Sequence, residues 1–416
     1  MSDALNDEPA ARVLVPLLVP RDGIPPVVAS ADELDEVVAA FSAGEGPVAV
    51  DAERASGYRY GQRAYLVQIR RAGAGTALID PIACPELYRL GDAIAGADWV
   101  LHAAPQDLPC LAEVGLRPRR IFDTELAGRL AGFSRVGLAS IVQSVLGFSL
   151  EKDHSAVDWS TRPLPEPWLK YAALDVEVLV ELRAVLEEEL RRQGKLGWAC
   201  EEFAAIVSNP PARPRSNPWR RTSGVHRVRT PRQLAVVQML WETRDRVARE
   251  RDLSPGRVLP DTAIIDAALA MPETPEDLAA LRVFGGRSTR RSLQTWFGAV
   301  RNARALPDHE LPSPSPAVPH DGPPPARSWS DRDPAAAERL AAARGAVTAI
   351  ADEHGLPTEN LLSPDAVRRL TWEPPVPLTT DSIGAVLRRH GAREWQVCLT
   401  AAALADALGR LPARTE

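Results

Sequence analysis

Two acids one residue apart, Asp51 and Glu53, close the apolar run Val48-Ala-Val-Asp-Ala-Glu53. A run of Val and Ala after the turn residues Gly44, Gly46 and Pro47 reads as a buried strand. Alternate side chains of a strand share a face, so the two carboxylates project together. Carboxylates side by side at a buried strand end repel each other and lose hydration, which calls for positive charge between them. A divalent cation that prefers oxygen ligands, Mg²⁺ or Mn²⁺, meets that need. An acid at a strand end also serves as a helix cap or a solvated turn residue, so the pair alone leaves both readings open.

Further acids stand in compatible places. Asp107, in His102-Ala-Ala-Pro-Gln-Asp107, falls in the first turn of a helix that leaves a strand. That is the carboxyl edge of the sheet, where open α/β sheets bind ligands. By itself Asp107 would equally favour the helix N-terminus, and His102 would equally be a hydrogen-bonded core residue. Tyr171-Ala-Ala-Leu-Asp175 places a phenol and a carboxylate at i and i+4, on one helical face. Apolar neighbours bury Asp175 in part, at a cost unless it finds a partner, which Tyr171 or a cation supplies.

The elements that must position these groups follow from local pattern. Ser30 and Glu33 form a capping box for a helix to about Phe41. Strands are expected over Ala64–Arg70 and Thr76–Ile79 with Gly73 and Gly75 in the turn, an antiparallel meander with the central strand. Helices Pro85–Ile94, Pro105–Glu113 and Gly137–Leu146 alternate with strands at Trp99–His102 and Ile121–Thr124, where Asp123 or Thr124 caps the next helix, so the packing is α/β. Glu151–Pro167, with Asp153, His154 and Asp158, reads as a surface loop. One helix is expected from Trp168 to Arg192, and another around Trp198–Val207 closes the first domain, 26–208.

Two helical modules follow. The linker 209–229 begins with a Pro-rich stretch, and 230–306 opens on a helix capped by Thr230 with Pro231 at its first position. A second Pro-rich linker, 307–333, leads to 334–412, helical by pattern with caps at Ser363 and Asp381.

Composition bounds the function. A chain of 416 residues, 45% hydrophobic and 25% charged, holds two or three globular domains. No stretch approaches the ~20 apolar residues of a membrane span. Nor does a basic region precede an apolar core at the N-terminus, so no secretory signal is expected. Cys84, Cys110, Cys200 and Cys398 form no Cys-x-x-Cys pair, which argues against a zinc site or a disulfide framework and for a cytoplasmic location. Net charge is −6, yet Pro210–Ala305 carries 18 arginines against 9 acids, a surplus of +9 that leaves −15 elsewhere. An Arg surface beside an acidic module is the footprint of polyanion binding, although Arg runs also simply solvate helices.

Taken in order, Asp51-x-Glu53, Asp107 and Tyr171-x-x-x-Asp175 resemble the three exonuclease motifs of the DEDD superfamily, in its tyrosine-bearing branch. Leu66-Val-Gln-Ile69, Phe122-Asp-Thr124, Asp158-Trp159 and Arg162-Pro-Leu164 narrow the resemblance to ribonuclease D, over about Ser30 to Val207. The Arg-rich module is similar to the helicase-and-RNase-D C-terminal (HRDC) domain, with a second, divergent copy at 334–412. Ala52 stands where the family usually carries Thr, on the face away from the acids.

The resemblance implies an RNase H-like α/β exonuclease domain with a mixed sheet, followed by one or two all-α HRDC-like modules. It also implies a metal-dependent 3′–5′ exoribonuclease that releases 5′-mononucleotides from RNA, in 3′ maturation of tRNA precursors or other structured RNAs. Asp51, Glu53, Asp107 and Asp175 would hold two divalent ions, with Asp51 as bridge and Tyr171 positioning the attacking water. Tyr65, Leu66, Trp159 and His102 are candidates to contact the terminal bases. Arg220, Arg221, Arg227, Arg287, Arg290 and Arg291 would grip phosphates. The protein is expected to act as a monomer, away from membranes. The competing readings are a DNA 3′–5′ exonuclease in repair and a catalytically inactive nucleic-acid-binding protein.

Overall fold

A computed structural model of the chain describes residues 14–150, 156–209, 216–314 and 322–411, apart from the side chains of Arg287 and Ser288. Asp153 and His154 lie outside the described residues. The strands are β1 (Val15–Leu17), β2 (Val27–Val28), β3 (Glu45–Arg54), β4 (Ala64–Ala72), β5 (Gly75–Ile79), β6 (Trp99–Leu101), β7 (Ile121–Asp123) and β8 (Phe148–Leu150). Six of them form one sheet in the order β2-β5-β4-β3-β6-β7, and β1 pairs with β8. The expected meander is present as antiparallel β3-β4-β5, while β6 and β7 add in parallel. β3 is therefore hydrogen-bonded along both edges, and its Val48, Ala49 and Val50 are fully buried. Helices cover both faces, which is why this strand reads as a continuous apolar run rather than an alternating one.

The nuclease helices are α1 (Ala31–Ala43), α2 (Tyr88–Ala93), α3 (Leu108–Glu113), α4 (Thr124–Leu130), α5 (Leu138–Leu146), α6 (Glu166–Glu177), α7 (Leu179–Arg192) and α8 (Leu196–Ser208). Ser30 and Glu33 form the expected capping box, and Asp123 caps α4 by accepting from the amides of Glu125 and Leu126. The long helix expected from Trp168 is two helices that change direction at the buried Val178. The break lets α6 lie on β3, β4 and β5 while α7 packs on β3 and β6, so one apolar pattern serves two axes.

Residues 231–305 form α9 (Pro231–Arg251), α10 (Pro255–Val258), α11 (Asp261–Ala270), α12 (Pro275–Ala280), α13 (Arg287–Arg290) and α14 (Leu293–Ala305). Thr230 caps α9, as the sequence indicates. The last segment holds α15 (Trp329–Arg332), α16 (Pro334–His354), α17 (Thr358–Leu361), α18 (Pro364–Trp372), α19 (Thr380–Arg389) and α20 (Glu394–Gly409). Ser363 caps α18 as expected; α19 is capped by Thr379, with Asp381 inside its first turn. The two segments share an opening order. In each, a 21-residue helix, α9 or α16, ends in a left-handed residue, Asp252 or Gly355, followed by a one-turn helix and then one of 10 or 9 residues.

The cores are divided differently from the chain. Residues Trp219 to Ala303 bury their own cluster around Leu240, Ile264, Phe284 and Trp296. The core of the last segment is instead continuous with that of the nuclease domain. At that seam Trp198 of α8 stacks on Trp395 at 4.9 Å, and Trp395 Nε1 donates to Glu202 at 3.1 Å. Lys195, buried, donates to the carbonyls of Leu130 and His354. The middle segment meets the nuclease domain at the loop between β3 and β4. Ser254 N donates to Tyr58 O at 2.9 Å, Arg257 Nε to Gly57 O at 2.8 Å, and Tyr60 Oη to Asp245 at 2.9 Å.

Candidate active site

Strand alternation sets the first part of the site. Asp51 and Glu53 leave the same face of β3 near its carboxyl end, opposite Gln68 and Leu66 of β4. Gln68, fully buried, donates from Nε2 to Asp51 Oδ2 at 2.7 Å and so fixes that carboxylate. Its own Oε1 finds no partner. The sequence shows Gln68 only as part of Leu66-Val-Gln-Ile69; its role depends on strand register, which sequence alone does not give.

Asp107 arrives from the next parallel strand. After β6 the chain turns through Ala103 in the left-handed region (φ 61°), and the amides of Ala103 and Ala104 donate to the Asp123 carboxylate at 3.0 and 2.8 Å. Asp123 thereby caps α4 and holds the turn that delivers Asp107. Asp107 precedes α3 but makes no side-chain cap hydrogen bond, so its carboxylate is turned to the cavity instead of the helix. His102 Nδ1 lies 2.9 Å from Thr124 Oγ1, and burial lowers its pKa to about 4, so the ring is neutral.

The third part is α6. Tyr171 and Asp175 lie one turn apart and hydrogen-bond to each other. Trp159 backs Tyr171, with ring centroids 6.5 Å apart. Arg162 anchors the Trp159 loop, since it pairs with Asp80 at 2.6 Å and donates to Tyr65 O at 2.7 Å. This brace, Arg162 on Asp80, joins residues 82 positions apart and was not readable from spacing.

These parts line one cavity of about 600 Å³. Single carboxylate oxygens of Asp51, Glu53 and Asp175 lie within 4.8 Å of one another. Asp107 faces Asp51 from the other side and meets Arg54 Nη2 at 3.3 Å. Arg54 was not among the residues singled out from sequence; the signal available was a cation placed directly after the acid pair. Burial, and then the charge of Asp51, pushes Asp107 up to about 8. Glu53 and Asp175 are likewise held well above the usual carboxylate range, first by burial and then by Asp51. Burial also raises Asp51. Burial and Asp175 raise the Tyr171 phenol, so it keeps its proton and acts as a donor. Four acids that resist ionisation together form an all-oxygen donor set suited to a hard divalent cation, whose charge would restore them to carboxylates.

Several expected nucleic-acid contacts take other roles. Tyr65, Leu66 and Trp159 are buried, packed with Ala172 and Ala173 under α6. Packed there, they support the site from beneath and offer no surface for base stacking. His102 lines the cavity. Arg220 lies over Trp219 and donates to Ser313 O, a structural bond that ties the two linkers flanking the middle module. Arg221, Arg227, Arg290 and Arg291 are exposed; the Arg287 side chain lies outside what is described.

Residues 26–191, whose sheet and cavity gather Asp51, Glu53, Asp107 and Asp175, match the 3′-5′ exonuclease family. Residues 233–300 match the HRDC domain, and 322–408 the 3′ to 5′ exonuclease C-terminal domain. The chain is 31% identical over 345 residues to ribonuclease D of Granulibacter bethesdensis, spanning 80% of this chain and 83% of that one. Among solved structures it is similar to a protein from Bifidobacterium adolescentis at TM-score 0.88 and 36% identity, covering 95% of this chain and 100% of the other. It is also similar to Escherichia coli RNase D, described as an exoribonuclease involved in structured RNA processing, at TM-score 0.67 and 27% identity over 93% and 99% of the two chains. The chain belongs to the ribonuclease D family and is a 3′–5′ exoribonuclease.

Proposed function

We infer that Asp51, Glu53, Asp107 and Asp175 together hold two divalent cations, Mg²⁺ or Mn²⁺, and that the site shortens structured RNAs, tRNA precursors among them, from the 3′ end. The observation that carries this reading is the convergence of the four acids in one cavity with no bond that would spend Asp107 on its helix. When bound, the cations supply charge to an attacking water and to the departing 3′ oxygen. The chain's own groups do the rest. Gln68 fixes the Asp51 carboxylate, which would be one of the groups that hold the cations. Tyr171, protonated and bonded to Asp175, presents its hydroxyl toward the cavity and orients the attacking water. His102, neutral, is available as a hydrogen-bonding wall and takes no proton near pH 7.

The domain limits carried by this reading are 26–208, 230–306 and 334–412, with the buried cores reaching into the linkers at Trp219, Val228 and Trp329; Arg221, Arg227, Arg290 and Arg291 are exposed and would meet RNA phosphates. We read the last segment as a second HRDC-like module on its shared helix order. Among the described residues no helix is long and apolar enough to cross a membrane; a cytoplasmic monomer is the form this reading takes.

Asp175→Asn tests it. Replacing one ligand should lower release of mononucleotide from 3′-labelled single-stranded RNA by at least about a thousandfold, while RNA affinity changes less than about threefold. Wild-type cleavage by that variant would sink the site assignment. A matching DNA strand run alongside decides substrate preference, since faster release from DNA would favour a repair role.

A further inference from the structure

We propose that Arg54 is a catalytic residue of this site: its guanidinium pairs with Asp107 when no cation is bound, and takes the scissile phosphodiester of the RNA when the acids are loaded. The proposal rests on the reading of the four acids as cation ligands and goes beyond it.

Backbone register puts Arg54 there. Between Glu53 and Arg54 the pairing of β3 with β4 slips, and Tyr65 is left without a partner in β3. A register shift of this kind increases local twist where β3 ends. Strict alternation would send Arg54 to the side of Ala52; instead its Nη2 stands 3.3 Å from Asp107 Oδ1. Its side chain is 25% exposed, so it is reachable from the cavity.

Position supplies the second argument. Beside the catalytic cavity lies another of about 310 Å³, lined by Ser56, Gly57, Tyr58, Ala156 and Val157. The two share a wall made of Ala52, Glu53 and Arg54. A strand with its last nucleotide on one side of that wall and the rest on the other places the linking phosphate at the junction, beside the acids. Among the described residues lining either cavity, Arg54 is the one Arg or Lys.

Charge supplies the third. Four carboxylates balance two divalent cations, and once Asp107 turns to a cation the guanidinium loses its partner. A phosphodiester carries the single negative charge that replaces it, and the guanidinium fork fits two of its oxygens. As charge builds on those oxygens during displacement, the same contact strengthens, which is how a fixed cation lowers a barrier.

The experiment measures binding of a short single-stranded RNA in Ca²⁺, which holds the strand uncut, with the last linkage either phosphate or neutral methylphosphonate. Arg54→Gln should bind the all-phosphate RNA about tenfold more weakly than wild type. The methylphosphonate penalty should be about tenfold smaller in that variant than in wild type. Arg54→Lys, which keeps the charge without the fork, should recover part of the loss. Equal affinity of wild type and Arg54→Gln for the phosphate strand overturns the proposal, as does an equal methylphosphonate penalty in both. Calorimetry with Mn²⁺ and no RNA separates the alternative in which Arg54 only orients Asp107. Mn²⁺ binding by Arg54→Gln as tight as wild type or tighter supports substrate contact, and weaker binding overturns it. Failure of the wild-type protein itself to bind Mn²⁺ would remove the ligand reading underneath and this proposal with it, an outcome distinct from the others.

Discussion

The two helical modules hold the nuclease domain by unlike means. The C-terminal one shares a core with it: Trp198 and Trp395 stack, Glu202 accepts from the Trp395 indole and pairs with Arg393 at 3.0 Å, and buried Lys195 ties two carbonyls. The HRDC module keeps a core of its own and grips one loop through backbone and phenol hydrogen bonds, with Arg257 lying 4.1 Å over the Tyr58 ring. That loop leaves β3 directly after Glu53 and Arg54. An apolar seam stabilises in proportion to the area removed from water, whereas a polar seam to a loop adds little stability and much geometry. The C-terminal seam therefore holds the domain together, and the HRDC seam sets the posture of the strand end that carries the chemistry.

Unfolding in denaturant, followed by tryptophan fluorescence and circular dichroism, would break this contrast if both modules melted as one. The largest effect is expected from the acids of the cavity. Because Asp107 is raised to about 8, the folded protein keeps a proton that the unfolded chain has already lost near pH 4. That contribution is complete below about pH 4 and disappears as pH rises through about 8, so in EDTA stability falls by up to ~1.4 kcal/mol per pH unit for each such proton. Saturating Mn²⁺ should reverse the slope in the transition shared by the nuclease domain and C-terminal module, and leave the HRDC transition alone. A metal-free stability that rises over this window would contradict the buried-acid picture.

Trp395→Ala comes next, at about 3–4 kcal/mol lost from the shared transition, for removal of a buried aromatic that stacks on Trp198. Glu202→Ala should cost about 2 kcal/mol in the same transition, since it leaves Arg393 and the indole N–H of Trp395 without their acceptor. The smallest stability change belongs to Tyr60→Phe, which removes the phenol bonds to Asp245 and Arg249 and costs about 1 kcal/mol or less. Its signature should be kinetic, a several-fold drop in kcat/KM for RNA with unfolding midpoints unchanged. If Tyr60→Phe lowered the shared transition as much as Trp395→Ala, the division of labour between the seams would be wrong.

Much of the site was legible because its chemistry forces local patterns. Buried carboxylates stand out against an apolar background, as Asp51 and Glu53 do in β3 and Asp175 in α6. The capping box at Ser30 and the cap at Thr230 were equally plain, since they satisfy amides within a few residues. Less visible were the groups whose partners are remote. Gln68 matters only once β3 and β4 are in register, and Arg162 only once its loop reaches Asp80. The aromatic residues misled in the opposite direction: Tyr65 and Trp159 look like stacking platforms until burial shows that they carry α6.

By itself the sequence determined which acids are placed to share one site, where most of the longer strands and helices lie, and that an acidic module precedes an Arg-rich one, because each of these depends on residue type and short-range periodicity. Tertiary structure alone decided that Asp107 turns to the cavity, that Arg54 at the end of β3 meets it, and that the C-terminal module joins the nuclease core while the HRDC module stands apart. Those outcomes depend on strand register and on contacts between residues far apart in the chain, where no local preference selects the partner.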